Sequence, residues 1–319
     1  PTTSNPSGVE ICSTIRLTAG LLSTTKIGKA MNNAPHFLVS SKLARGVCFV
    51  KKTIDRSLDS RCISAGGQRT ECDHGKPTMS SSIRVVFFDA ADTLFHVHGS
   101  VAEIYLHHAV EFGFPQKPDS LVAIKHAFSR AFREAPPPVF AVTDPTRLKQ
   151  SERLWWFDIV HHVFYRVGMF ERFDEFFDHV FRVFEDHRSW RLFPETVPTL
   201  TRLKARDLEL GIISNFDSRL FTVLRGLGIA EAFDTVTISS LAQAAKPAPQ
   251  IFHLALEKHA VDPEEALHIG DSLREDVEGA KKAGLHTVLL DRDGKQQGVG
   301  IRTIKNLEEL FQLLERFEE

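Results

Sequence analysis

The sequence predicts an α/β fold, a doubly wound parallel sheet with a Rossmann-like core and a helical domain inserted after the first strand. Three observations lead there. Short continuous apolar runs recur through residues 83–319, the texture of strands buried on both faces. Segments of helical length separate them, and that alternation builds a parallel sheet with helices on both sides. Between the first run and the second, residues 97–195 switch to helical periodicity and hold 14 of the 25 phenylalanines.

The first 82 residues are another kind of sequence. They carry 11 Lys/Arg against 5 Asp/Glu, 21 Ser/Thr, and all four cysteines (Cys12, Cys48, Cys62 and Cys72), with no sustained apolar period. No stable fold is expected there, because too little apolar surface can be buried to offset chain entropy. Two readings stand. A basic, Ser/Thr-rich, acid-poor leader resembles an organelle presequence. Alternatively Met79 is the start, the residues before it are read-through, and the protein is cytoplasmic. The onset of a strand directly after Ser82 favours the second.

From residue 83 the elements follow in order. Val85, Val86, Phe87 and Phe88 form an apolar run ending at Asp89, read as the first strand. In the insertion, Ser100 and Glu103 form a capping box ahead of a helix over 104–112, which Gly113 and Pro115 end. Leu154, Phe157, Val160, Phe164 and Val167 are spaced for one helix, and Phe173, Phe176, Phe177, Val180 and Phe184 for another. An aromatic ladder at that spacing reads as packing, and so do Trp155, Trp156 and Trp190. Further strands are expected at 210–214, 235–238, 266–269 and 287–290. Helices are expected at 219–227, 249–259 and 273–283, with Gly284 as the stop. The domains are thus a leader over 1–82, a core of 83–96 plus 196–319, and a helical insertion over 97–195.

Composition narrows the function. The formal net charge is −2, without the basic footprint of a nucleic-acid binder. No run of ~18 apolar residues occurs, so no membrane span is expected. Residues 83–319 contain no cysteine, which removes disulfides and thiol chemistry from that part. The leader's cysteines include no C-x-x-C pair of the kind zinc sites use.

In doubly wound sheets, ligands bind beyond the carboxyl ends of the strands. That rule selects the strand ends at Asp89, Ser214 and Gly270-Asp271, and Lys246 joins them as a fourth place. Asp89 ends the first run, where a carboxylate can act as a covalent nucleophile once its charge is offset. Ser214 and Asn215 bring a hydroxyl and an amide to the end of the second. Lys246 stands just before Pro247 and the next helix, and Asp271 and Asp276 lie in IGDSLRED. Acids, one lysine and polar donors at a single rim suit Mg²⁺ and a phosphoryl group.

FFDAADTLF, GIISNFDSRL, AAKPAPQIF and IGDSLREDVEGAKKAG, in that order, resemble the haloacid dehalogenase (HAD) hydrolase superfamily, subfamily I, and its REG-2-like branch. The resemblance covers about residues 83–319. It implies a HAD-like fold with a helical cap that closes over the site and selects the substrate. It implies an Mg²⁺-dependent phosphatase of a small phosphorylated metabolite. Asp89 would form an aspartyl phosphate, and Ser214 and Asn215 would hold the transferring group. Lys246 would neutralise charge. Asp89, Asp271 and the backbone carbonyl of Ala91 would bind the metal, with Asp276 behind them or as a further ligand.

The chain departs from that pattern. Family phosphatases read D-x-D-G-T, the second Asp serving as general acid and base; here Ala91 takes its place, and Asp92 takes the glycine's. The loss of a positioned donor is worth ~10²–10⁴-fold in rate. Asp92, one residue along, and His96 or His98 are the candidates to replace it. Ala248 stands where an Asp is common, which implies an effect on stability. The gap admits a 2-haloacid dehalogenase-like hydrolase, although such enzymes read D-x-Y-G-T and lack the Gly-Asp-Ser motif retained around Asp271. It also admits a phosphonatase-like enzyme using a Schiff-base lysine, for which Lys117, Lys125 and Lys149 are available. A weakly catalytic HAD-like protein that binds a phosphorylated metabolite is the remaining alternative.

Overall fold

The computed structural model describes residues 82–295 and 300–318. The reading of the leader therefore lies outside the described residues, apart from Ser82. Strand β1 (Val85–Phe88) has no solvent exposure at any of its four residues. It is flanked by β4 (Glu209–Ser214) and β6 (Ala266–Gly270), and β5 (Thr235–Ile238), β7 (His286–Leu290) and β8 (Thr303–Ile304) extend the sheet. The order is β5-β4-β1-β6-β7-β8, and every pairing is parallel. After β1 the chain builds outward on one side through β4 and β5, then returns to the other side at β6. The switch point therefore falls at the end of β1.

Strand alternation divides the core into two layers. Val86 and Phe88 pack with Leu200 and Leu203 of α5 (Thr196–Lys204), Val223 and Leu224 of α6 (Leu220–Gly226), and Leu310 and Phe311 of α10 (Leu310–Glu318). Val85 and Phe87 face the other way, against Ile251 and Phe252 of α8 (Pro249–His259) and Ala280 of α9 (Gly279–Lys282). Each fully buried side chain of this size contributes about 1.5–3 kcal/mol. A short helix, α7 (Ser239–Ala242), links β5 to α8. Among the described residues no helix is long and apolar enough to cross a membrane.

Helices α1 (Val101–Glu111), α2 (Ser120–Glu134), α3 (Pro145–Val167) and α4 (Phe173–Val183) follow β1 and share their own apolar cluster. The phenylalanine ladder is packing, as the spacing suggests; Phe164 and Phe176 meet edge to face with centroids 4.9 Å apart. Leu154 leaves the row and is 56% exposed. At ~100° per residue it lies at least ~60° outside the arc spanned by Phe157, Val160, Phe164 and Val167. At the start of α1, Ser100 Oγ accepts the Glu103 N–H at 3.2 Å. Its hydroxyl donates to the Glu103 carboxylate at 2.8 Å, so the capping box closes between side chains.

Two differences from the sequence reading matter. The stretch 97–195 is not wholly helical: β2 (Phe95–Val97) pairs antiparallel with β3 (Trp190–Leu192) in a ribbon at its two ends. Three-residue strands leave no usable periodicity, and pairing between segments so far apart is invisible locally. The segment 273–283 is a π-helical turn (Leu273–Glu278) running into α9. Such widened turns occur often at functional sites, and this one begins beside Asp271.

Candidate active site

Asp89 leaves β1 with its N–H donating to the Ile269 carbonyl at 2.8 Å, which ties it to the neighbouring strand. The chain then turns tightly. Leu94 N–H reaches Ala90 O at 2.9 Å, and Asp92 adopts a left-handed backbone with φ 61°. That conformation explains why glycine suits the position, and aspartate is among the few other residues that adopt it readily.

Lys246 is the hub. Its ammonium donates to Asp89 Oδ1 at 2.7 Å and to Asp276 Oδ1 at 2.6 Å, and only 3% of the residue is exposed. The Lys246–Pro247 peptide is cis. Asn215 fixes the lysine's main chain from both sides, its Oδ1 accepting the Lys246 N–H at 2.8 Å and its Nδ2 donating to the Lys246 carbonyl at 2.9 Å. Nδ2 also donates to Glu275 Oε2 at 3.2 Å. Both amide hydrogens of Asn215 thus serve the protein itself, so its contribution is to position Lys246. Ser214 is buried at the end of β4.

Asp276 is held on every side. Besides Lys246, it accepts from His268 Nε2 at 2.9 Å and from the Ser272 N–H at 2.9 Å. A Cβ at Gly270 would stand 2.1 Å from Asp276 Cγ, so only glycine lets this carboxylate fold back under β6. With its oxygens so engaged, Asp276 fits the place behind the ligands. Carboxylate oxygens of Asp89, Asp271 and Asp276 all lie within 4.8 Å of one another.

The electrostatics follow from three carboxylates around one lysine. Burial would lower the Lys246 ammonium, but Asp276 and Asp89 outweigh it and hold the group above its ordinary value. Burial raises Asp276, but Lys246 and His268 more than compensate and keep it below the ordinary carboxylate range. Asp89 is raised, burial and then Asp276 outweighing Lys246. Asp271 is pushed up to about 8, first by burial and then by the charges of Asp89, Asp276 and Asp92. Three carboxylates against one lysine leave a formal surplus of two negative charges. An all-oxygen donor set with surplus negative charge fits a hard divalent cation such as Mg²⁺.

The remaining candidates separate clearly. Asp92 is exposed, and its carboxyl is raised by the surrounding protein and then by Asp89. His96 lies on β2 with Nδ1 2.9 Å from its neighbour's carbonyl and its ring against Phe193, and His98 is exposed. Lys117, Lys125 and Lys149 are all exposed, none in the apolar pocket a Schiff-base lysine needs. Ala248 is the N-cap of α8 and provides no side-chain cap there.

Sequence reasoning missed four groups. His268 and Glu275 hold Asp276 and Asn215, and the lone histidine inside the apolar run ALHIG was the available signal for the first. The other two lie where α3 meets the loop after β4. Trp156 Nε1 donates to Asp217 at 2.6 Å, and Glu152 accepts from the Ser218 N–H at 2.9 Å. Asp217 is also paired with Arg219 at 2.6 Å, both buried.

Known proteins resemble this chain in sequence and fold. A family model described as haloacid dehalogenase-like hydrolase matches residues 83–284. The haloacid dehalogenase-like hydrolase domain-containing protein 3 of Mus musculus is 32% identical over 210 residues, 65% of this chain and 82% of that one. The rhythmically expressed gene 2 protein of Drosophila melanogaster is 34% identical over 146 residues, 43% of this chain and 56% of that one. Among solved structures, a 2-haloacid dehalogenase from Pseudomonas syringae is 26% identical with a TM-score of 0.51, over 74% of this chain and 99% of that one. The sheet order, the rim residues and the family match agree, and the chain belongs to the haloacid dehalogenase-like hydrolases.

Proposed function

We propose that the protein is an Mg²⁺-dependent phosphatase of small organic phosphomonoesters, acting through an aspartyl phosphate on Asp89. The observation that carries this reading is the Lys246 ammonium held between Asp89 and Asp276 with Asp271 facing them, a charge-deficient cluster at the switch point of the sheet. Asp89, Asp271 and the Ala91 carbonyl would hold the Mg²⁺, which when bound supplies positive charge against the phosphoryl oxygens.

Asp89 attacks phosphorus, the ester oxygen leaves, and water then hydrolyses the acyl phosphate. Lys246 offsets charge at both stages. Ser214 holds the transferring group, and Asn215 keeps the Lys246 loop in place. Helices α1–α4 act as the cap, excluding water and choosing the substrate. Ala91 brings no proton donor to the departing oxygen, so esters with good leaving groups react best.

The missing donor also favours a second reading, dehalogenation of 2-haloacids, since a departing halide needs no proton. An assay of small phosphate esters and 2-haloacids, with and without Mg²⁺, separates the two. Phosphate release that requires Mg²⁺ and is lost in Asp271→Asn is expected. Metal-independent halide release would establish the dehalogenase instead, and ligand-induced stabilisation without turnover of either class would indicate a binding protein.

A further inference from the structure

Away from the sheet rim, α1 and α4 bring together four metal-ligating side chains that the proposed chemistry does not use. His107, His108 and Glu111 lie on one face of α1. His179 comes from α4, which packs alongside. His108 Nδ1 is 2.9 Å from Glu111 Oε2 and 3.2 Å from His179 Nε2. His107 Nε2 is 3.7 Å from Glu111 Oε1, and ligand atoms of His107, His108 and Glu111 all lie within 4.8 Å of one another.

Hydrogen bonding accounts poorly for this convergence. An imidazole Nδ1 carries at most one proton. If His108 gives it to Glu111, no lone pair remains to accept from His179; if Nδ1 is bare, it faces the carboxylate lone pairs. At best one proton is shared between two acceptors. A cation at the centre would engage every one of those lone pairs.

We propose that His107, His108 and Glu111, joined by His179 from α4, form a second metal site that takes Zn²⁺ and staples α1 to α4. The spacing suits that ion. Bonds of about 2.0–2.1 Å in a tetrahedron put neighbouring ligand atoms ~3.3 Å apart, which the 3.2 Å and 2.9 Å separations approach. His107 is exposed, so its ring can swing the remaining distance. His179 is held in place by the Phe112 ring, with centroids 5.5 Å apart. Imidazole donors select zinc-like metals, whereas Mg²⁺ prefers oxygen. The two sites therefore divide the metals by donor chemistry, and this one is independent of the catalytic reading.

Co²⁺ serves as a spectroscopic stand-in for Zn²⁺. The full chain, with Mg²⁺ in excess to fill the acidic site, is titrated with Co²⁺ and followed by visible absorption. One equivalent should bind with tetrahedral nitrogen and oxygen ligand-field bands, separable from the thiolate charge-transfer bands that the leader's cysteines would give. Saturating Zn²⁺ should raise the thermal midpoint by ~5 °C at a hundredfold excess over Kd. His179→Ala should weaken Co²⁺ binding by at least the ~10–100-fold that loss of even a supporting group costs. Because His179 packs on Phe112, the exposed Glu111→Gln is the second variant and should do the same, while Asp271→Asn leaves these bands unchanged. No nitrogen and oxygen bands, or bands that survive both Glu111→Gln and His179→Ala, would overturn the site.

Discussion

Two buried ionic clusters lie close together beyond the end of β4, and they are built to opposite plans. Asp217 and Arg219 match one for one. The guanidinium donates to the carboxylate at 2.9 Å and 2.6 Å, and Trp156 completes the set. Burial alone would raise Asp217, but Arg219's charge and hydrogen bonds outweigh it and hold the carboxyl below its ordinary range. Around Lys246, three carboxylates share one cation, and Asp89 and Asp271 are raised. The balanced cluster serves the fold; in the proposed function the unbalanced one would be completed by a metal and a substrate. Strongly perturbed groups in an unfinished cluster mark the place of chemistry.

The largest effects should split along that line. Asp89→Asn removes the proposed nucleophile and should lower turnover by ~10⁴-fold or more. Because it takes away surplus negative charge, unfolding should show unchanged or higher stability. Asp217→Asn should do the reverse, costing about 3–5 kcal/mol by leaving Arg219 buried without its partner, with turnover per folded molecule little changed. Denaturant curves and steady-state rates on both variants test the contrast. If Asp89→Asn proved the more destabilising of the two, the division would be wrong.

Ala91 sharpens the account from within the catalytic cluster. Ala91→Asp should raise turnover of alkyl phosphates by up to the ~10²–10⁴-fold of general acid catalysis and barely change that of activated aryl phosphates. A leaving-group series on parent and variant measures this. A parent insensitive to leaving-group pKa would show that Asp92 or His96 already delivers the proton.

In their pH dependence the clusters should again oppose one another. Asp271 ordinarily ionises at 3.8 and is held up to about 8 in the fold. In that window the folded chain keeps a proton that the unfolded chain has lost. Its contribution to metal-free stability is full below about pH 4 and disappears as pH rises through about 8. Mg²⁺ competes with that proton, so stabilisation by Mg²⁺ should grow over the same range. Asp217 is depressed instead, so its contribution is present above the ordinary carboxylate range and is lost as pH falls through its lowered value. Thermal melts against pH, with and without Mg²⁺, resolve the two trends. A stabilisation by Mg²⁺ that did not vary with pH would remove Asp271 from the metal site.

The same contrast governs what was legible in the sequence. Strand-end residues could be read, because an apolar run that stops at Asp89 or at Gly270-Asp271 states its own end, and the carboxyl-end rule then brings those ends together. Asp89 and Lys246 are 157 residues apart, yet the order of the motifs along the chain placed them at one rim. The balanced cluster was not legible. Trp156 meets Asp217 only because α3 packs against the loop after β4, and nothing local to either residue signals it. Asn215 illustrates a subtler limit: its position was readable, but the engagement of its amide with Lys246 depends on how the Lys246 loop returns to β4. The β2–β3 ribbon and the two-residue β8 were lost for want of length.

The most direct test is to look for phosphate on Asp89. The donor absent at Ala91 would also have served as the base that activates water against the acyl phosphate, so the intermediate should accumulate when the leaving group is good. Acid quench of the enzyme turning over an activated aryl phosphate with Mg²⁺, followed by peptide mass spectrometry, should find the Asp89 peptide phosphorylated in a large fraction of molecules, and much less so in Ala91→Asp. Phosphate release with no label on Asp89, or with the label on another residue, would contradict the account.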